Sequence, residues 1–291
     1  MTDYRDESWL REKIEDEEVS RTKLAEMQDT THKTIMNYCK RYGVGDDLVE
    51  CPNCEHKSPQ LGKHWSGSGC EYPELTQHQK EVLVGILMGD GSINTPQGNQ
   101  NARFRVDMYE PSIPYLEYLS DVIFPVITTD VKQGETVEQS ALRSSNTFDL
   151  NINRCHDMYY LSSRRMPCFN QYIEWYNENH TKIWPCEDIK LTPTVLKHYF
   201  VGDGHWNNKG SADHITFAMN DQKTNVNSVV KMFERIGFTP SNVKISERTD
   251  KNITDVVLSF GKETSYEMFE YMGEPLPSFE YKWPNDYDYD K

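Results

Sequence analysis

The chain has 291 residues, room for one large domain and one or two small ones. A mean hydropathy of −0.77 and the lack of any apolar run of membrane-spanning length argue against an integral membrane protein, and the acidic stretch from Met1 to Glu18 does not read as a signal peptide, so the expected location is the cytoplasm. The 46 acidic residues against 31 basic ones leave a net charge of −15, which disfavours nucleic-acid binding unless the acidity lies away from the binding face, as in proteins from a salt-saturated cytoplasm.

Residues 6–18 are predicted to form a helix with Trp9, Leu10 and Ile14 on one face. Leu24, Ala25 and Met27 then precede a polar turn, Asp29-Thr30-Thr31. A second helical stretch carries Ile35, Tyr38 and Tyr42 and stops at Gly43. This first module, 1–46, resembles a helix-turn-helix. Its second helix would offer Thr31, His32, Lys33, Thr34, Asn37, Lys40 and Arg41 to a major groove. The alternative is a helical hairpin that serves as a protein interface.

A second module, 47–72, is defined by cysteines. The chain has an odd number, 7, and only Cys51 and Cys54 form a C-x-x-C pair. Scattered thiols of this kind suit metal ligation or burial better than disulfides. Cys51 and Cys54 flank a tight Pro52-Asn53 knuckle, and His64 and Cys70 follow, with Trp65 expected to pack behind them. The four make a tetrahedral zinc set with no open position, a structural ion rather than a catalytic one. His56 competes for the fourth place, and buried unligated cysteines are the alternative.

From residue 73 to 291 the pattern is α+β and occurs twice, about 75–185 and about 190–291. The first copy begins Leu83-Val84-Gly85-Ile86-Leu87-Met88-Gly89-Asp90-Gly91, the second Leu196-Lys197-His198-Tyr199-Phe200-Val201-Gly202-Asp203-Gly204. Each is an apolar helix ending in Gly-Asp-Gly, and each is followed by an alternating strand, from Ala102 and from His214. Amphipathic helices come next, Ile113 to Val122 and Val226 to Ile236. Further strands are predicted at TFDLNIN (147–153), NVKISE and DVVLSF, and each copy closes with another helix. A lysine shortly precedes Trp-Pro after each: Lys182-Ile183-Trp184-Pro185 and Lys282-Trp283-Pro284.

Two such motifs, with their aspartates 113 residues apart and matching elements downstream, resemble the LAGLIDADG endonuclease family, and most closely its omega-type intron enzymes. The resemblance implies two pseudo-symmetric αββαββα repeats forming a DNA-binding saddle. The two motif helices would pack side by side on small residues, Gly85, Gly89 and Gly202. His198 stands where the first copy has Gly85, a bulky residue at a contact expected to be small. Asp90 and Asp203 would meet at the helix ends, where two carboxylates repel unless a divalent cation sits between them. Mg²⁺, held by Asp90, Asp203 and the Gly89 and Gly202 positions, would activate water and stabilise the leaving oxygen. Met88 and Val201 replace an optional acidic residue of the family, so each motif carries one carboxylate. Lys182 and Lys282 match the basic residues that approach the scissile phosphates. Two solvated linker lysines are the alternative.

DNA contact is expected from the sheet surface formed by both repeats. The first half offers Ser92, Asn94, Gln97, Asn101, Arg103 and Arg105, and the second His205, Asn207, Lys209, His214, Thr216, Lys244 and Arg248. The resulting expectation is a monomeric, Mg²⁺-dependent homing endonuclease that cuts both strands of one long pseudo-palindromic site. The alternatives are a non-cutting DNA-binding regulator or an RNA maturase on the same fold. An intein-embedded enzyme is disfavoured, because neither a splice-junction nucleophile nor a terminal His-Asn is present. The charge excess adds the expectation of a halophilic source.

Overall fold

In the computed structural model the described residues are 4–17, 19, 21–42, 44, 49–54, 56–58, 61–67, 69–94, 98, 100–137, 139, 156–208, 213–219, 222, 225–248 and 253–284. They fall in two compact units, Met1–Pro73 and Glu74–Lys291.

The first unit opens on α1 (Glu7–Arg11), capped by the Asp6 carboxylate, which accepts from the Trp9 backbone N–H at 3.1 Å. The predicted helix over 6–18 continues only as a π-turn, Glu12–Asp16. Then come α2 (Arg21–Met27) and α3 (His32–Tyr42), joined by a turn in which Asp29 takes a positive φ of 47°. Their shared core is Leu10, Leu24, Ala25, Ile35, Cys39 and Val44. Gly43 lies outside the described residues. Strands β1 (Val49–Glu50) and β2 (Lys57–Ser58) pair antiparallel, and α4 (Leu61–Gly67) buries only Leu61 and Trp65. So small an apolar core gives this segment little reason to fold by itself.

The second unit begins with α5 (Gln77–Met88), started by a capping box between Thr76 and Gln79. It is followed by β3 (Gly91–Asn94), β4 (Arg103–Tyr109), α6 (Ile113–Tyr118), β5 (Lys132–Gln133) and β6 (Met158–Ser162). The second half runs α7 (Pro193–Asp203), β7 (Gly204–Asn207), β8 (His214–Ala218), α8 (Val226–Glu234), β9 (Asn242–Arg248), β10 (Ile253–Ser259) and α9 (Lys262–Met272). Each half has its own antiparallel four-stranded sheet, in the orders β3-β4-β6-β5 and β7-β8-β10-β9. The two orders are the same when the halves are superposed strand for strand, so the sequence repeat is a structural repeat.

Two details differ from the sequence expectation, and a third lies beyond what is described. The first half ends in a 3₁₀ segment, Pro167–Trp175, where the second has an α-helix. The helix predicted over 113–122 is α-helical to Tyr118 and then a π-turn, Leu119–Ile123. The predicted strand 147–153 lies outside the described residues; within them β4 pairs with β3 on one side and β6 on the other.

Both motif helices are apolar around most of their circumference because each is enclosed by the other and by a sheet. α5 buries Val82, Leu83, Ile86, Leu87 and Met88, and α7 buries Val195, Leu196, Tyr199, Phe200 and Val201. Glycine sets their separation. A Cβ added to Gly85 would stand 2.5 Å from the Val195 carbonyl oxygen and 2.7 Å from His198 Cβ. His198 therefore does not hold the helices apart. It faces a residue without a side chain, and its ring turns to Tyr115 of α6, to which Nδ1 is hydrogen-bonded at 2.7 Å.

Candidate active site at the paired helix ends

The helices stay in contact to their last turn. A Cβ on Gly202 would lie 3.0 Å from Gly89 Cα, 3.0 Å from the Asp90 backbone nitrogen and 3.4 Å from Asp90 Oδ2. The Asp90 carboxylate thus rests against the residue that precedes Asp203, and the two acidic residues occupy one small region. Crowding by protein raises the Asp90 pKa, while the positive charges of Lys282 and Lys182 oppose the rise.

Each lysine seals a helix end. Lys182 Nζ donates to the Gly89 and Gly91 carbonyls, both at 2.8 Å, on either side of Asp90. Lys282 Nζ donates to Val201 at 2.7 Å and Gly204 at 2.8 Å, with Phe200 and Gly202 at 3.4 Å, around Asp203. An ammonium at a helix C-terminus answers the carbonyls left without intrahelical donors and the negative end of the dipole. Burial brings Lys282 down to about 8, against the pull of Asp90 and Asp203.

Beside this cluster is a cavity of about 240 Å³ lined by Met88, Gly89, Lys182, Trp184, Asp203, Ala218, Met219 and Gln222. Gln222 is fully buried and clamps the Lys182 segment from the other repeat: Oε1 accepts from the Trp184 backbone N–H at 3.1 Å, and Nε2 donates to the Lys182 carbonyl at 2.7 Å. Asn225 Nδ2 adds a donor to the Trp184 carbonyl at 3.0 Å. Sequence reading missed both residues. They sit past the end of a strand, where no periodicity marks them.

Register groups the proposed DNA-contacting residues. Ser92 pairs with Arg105 and Asn94 with Arg103, so these four share one face of the first sheet. In the second sheet His205 pairs with Thr216 and Asn207 with His214, and the alternation of β9 puts Lys244 on that same face. Lys132 and Tyr160 also fall on the first face, an addition the residue pattern alone did not reveal. Arg105 is already engaged: it forms a bidentate pair with Asp107 (Nε to Oδ2, 2.7 Å) and stacks 3.8 Å over the Tyr160 ring. Asn101 accepts from Arg165 and Asn170, at the margin of β4. In α3 the Thr31 hydroxyl accepts from the Thr34 backbone N–H at 3.1 Å and pairs with the Thr34 hydroxyl at 2.9 Å, so both serve the helix start, while Asn37 and Arg41 are exposed. Gln97 and Lys209, and the side chains of His32, Lys33, Lys40 and Arg248, lie outside what is described.

In the first unit the ligand atoms of Cys51, Cys54, His64 and Cys70 all lie within 4.8 Å of one another. The Cys51–Cys70 and Cys54–Cys70 sulfur separations are 3.7 and 3.6 Å, and Cys54 Sγ is 3.1 Å from His64 Nε2. A tetrahedron with Zn–S bonds of about 2.3 Å has edges of about 3.8 Å, close to the sulfur spacings. Burial disfavours a Cys51 thiolate, but the Trp65 indole at 3.2 Å, the Asn53 backbone and the neighbouring thiols outweigh it and bring Cys51 to about 7. His56 is not part of this group; its ring stacks on His64, centroids 4.4 Å apart.

Comparison with known proteins fits this geometry. The model of the LAGLIDADG DNA endonuclease family matches residues 80–268. The DNA endonuclease I-ChuI of Chlamydomonas applanata is 24% identical over 150 residues, which is 48% of this chain and 65% of that protein, so the chain spans slightly under two thirds of that relative. Among solved structures, the homing endonuclease I-WcaI bound to its DNA recognition sequence aligns with a TM-score of 0.54 at 17% identity, covering 73% of this chain and 88% of the other, and so shares its fold.

Proposed function

The chain belongs to the LAGLIDADG DNA endonuclease family, and from that premise we propose that it is a monomeric, cytoplasmic homing endonuclease that hydrolyses both strands of one long DNA site with the help of Mg²⁺. The observation that carries the proposal is the meeting of the two helix ends, with Asp90 Oδ2 against Gly202 and a lysine bound to the carbonyls on either side of each aspartate. Two carboxylates and the carbonyls of Gly89 and Gly202 form an all-oxygen donor set of the kind a hard divalent cation takes. Such an ion supplies an activated water and charge neutralisation at the phosphate. Lys182 and Lys282, one per half, orient and neutralise the two scissile phosphates. One chain contains both halves, so no second subunit is needed.

The two sheet faces with Ser92, Asn94, Arg103, His205, Asn207, His214, Thr216 and Lys244 read the duplex, Gln97, Lys209 and Arg248 belonging to the same set. Arg105 acts through its fixed pair with Asp107, and Tyr160 and Lys132 extend the face. Asn37, Lys33 and Thr34 on α3, with Thr31 just before it, add a second DNA contact, which raises affinity by tethering. Zn²⁺ held by Cys51, Cys54, His64 and Cys70 supports the small module between them. The experiment is a selection from a plasmid library with randomised inserts, incubated with the protein in Mg²⁺ or in EDTA. We expect linear molecules sharing one long site, in Mg²⁺ only. Absence of an enriched site, or equal cutting in EDTA, would defeat the reading.

A further inference from the structure

The two lysine segments are not equivalent. Trp283 follows Lys282 directly, and its indole Nε1 donates to the Gly273 carbonyl at 3.0 Å. Trp184 stands two residues after Lys182, is 3% exposed, and its Nε1 meets no hydrogen-bond acceptor among the described residues. A buried N–H without a partner is costly and therefore uncommon, which points to something outside the protein that answers it. Among the described residues no oxygen or nitrogen acceptor does, and the Tyr199 ring, edge-to-face with the indole at 5.2 Å between centroids, is only a weak π acceptor. Both polar ends of Gln222 are committed to the Lys182–Trp184 backbone, and the Asn225 amide is given to the Trp184 carbonyl and to Cys186. What remains is the cavity of about 240 Å³ that Trp184 lines together with Asp203, Lys182 and Gly89. At about 30 Å³ of liquid volume per molecule it has room for several waters, and it has the polar groups to hold them.

We propose that the Trp184 indole N–H is a further hydrogen-bond donor of the Lys182 half-site, holding a water in the cavity beside Asp203, whereas the Trp283 indole N–H beside Lys282 is spent on the Gly273 carbonyl. The two DNA strands therefore depend on different sets of groups. Gln222 and Asn225 act as positioning residues. They fix the backbone from Lys182 to Trp184, and so keep the ammonium and the indole in register with Asp203. The inference rests on the endonuclease reading and adds an asymmetry to it that the paired motifs do not contain.

The test is single-turnover cleavage of a duplex labelled separately on each strand, with wild type, Lys182→Met, Lys282→Met, Trp184→Phe and Trp283→Phe. Trp184→Phe is expected to slow, by about tenfold, only the strand that Lys182→Met slows, with site binding unchanged and nicked intermediate accumulating. Trp283→Phe should lower the melting temperature without strand bias. Replacing Trp184 by its benzothiophene isostere removes the N–H while keeping the shape, and should reproduce the same bias if the phenylalanine variant folds poorly. Equal slowing of both strands, no slowing, or bias toward the Lys282 strand would overturn the proposal. A wild-type protein that cuts neither strand would instead defeat the endonuclease reading and this inference with it.

Discussion

His198 shows how a single residue reads differently alone and in place. In the sequence it is a bulky intrusion at a position where its counterpart is Gly85. In the structure the two positions face each other, large against absent, and the imidazole is buried with Tyr115 as its 2.7 Å partner across the repeats. Burial, with smaller contributions from Lys197 and His78, holds His198 down to about 3, while an unfolded histidine titrates near 6.5. Between these values the unfolded chain binds a proton that the folded chain refuses. Stability must then fall as pH drops below about 6.5, by at most about 1.4 kcal/mol per pH unit from this group, and be indifferent to it above. Asp90, whose pKa is raised, contributes with the opposite sign in its own range, so the difference between parent and variant is the useful quantity. His198→Gln keeps a partner for Tyr115 and removes the titration. Melting from pH 7 to 4.5 should show a shallower loss in the variant, and identical slopes would mean the histidine is not held neutral.

The elements that could be read in the sequence are those whose signal is local. The paired apolar helices, the Gly-Asp-Gly ends and the alternating strands β4 and β8 were legible because each recurs at the period its structure needs. The C-x-x-C knuckle was legible through its short spacing, and the structure gathers its two sulfurs with His64 and Cys70 within 4.8 Å. Gln222, Asn225 and Tyr160 were not, because their roles come from residues far away in the chain: Trp184, Lys182 and Arg105. Of the two histidines that competed for the fourth place, His64 is the one whose ring nitrogen gathers with the three sulfurs, while His56 stacks on it, a difference that no spacing rule contains. At this scale the prediction concerns the cysteine module, whose few buried apolar side chains would leave its fold to the proposed zinc ion. Protein purified without chelators should contain one zinc per chain by elemental analysis, and Cys51→Ser should lose it and become protease-sensitive between residues 49 and 72. Zinc-free native protein, or an unchanged digestion pattern, would remove the assignment.

For the whole molecule the open tension is charge. A net charge of −15 repels a phosphate backbone; the sheet faces proposed to meet the duplex carry Arg103, Arg105 and Lys132 beside Asp107 in one half and Lys244 beside Asp255 in the other. Salt relieves the repulsion among the carboxylates as the Debye length shrinks from about 10 Å at 0.1 M to about 3 Å at 1 M, and it weakens phosphate contacts by the same screening. A protein adapted to that balance should stay folded and keep its site preference at KCl on the order of 1 M. Activity confined to roughly 0.1 M would mark an ordinary acidic protein. The two aspartates at the joined helix ends remain the centre of the account. The most direct test is cleavage of a selected target plasmid by Asp90→Asn and Asp203→Asn, with binding to the same site measured in parallel. The account predicts that each variant binds within a few-fold of wild type and produces no linear plasmid. Linearisation by either variant at the wild-type rate would contradict it.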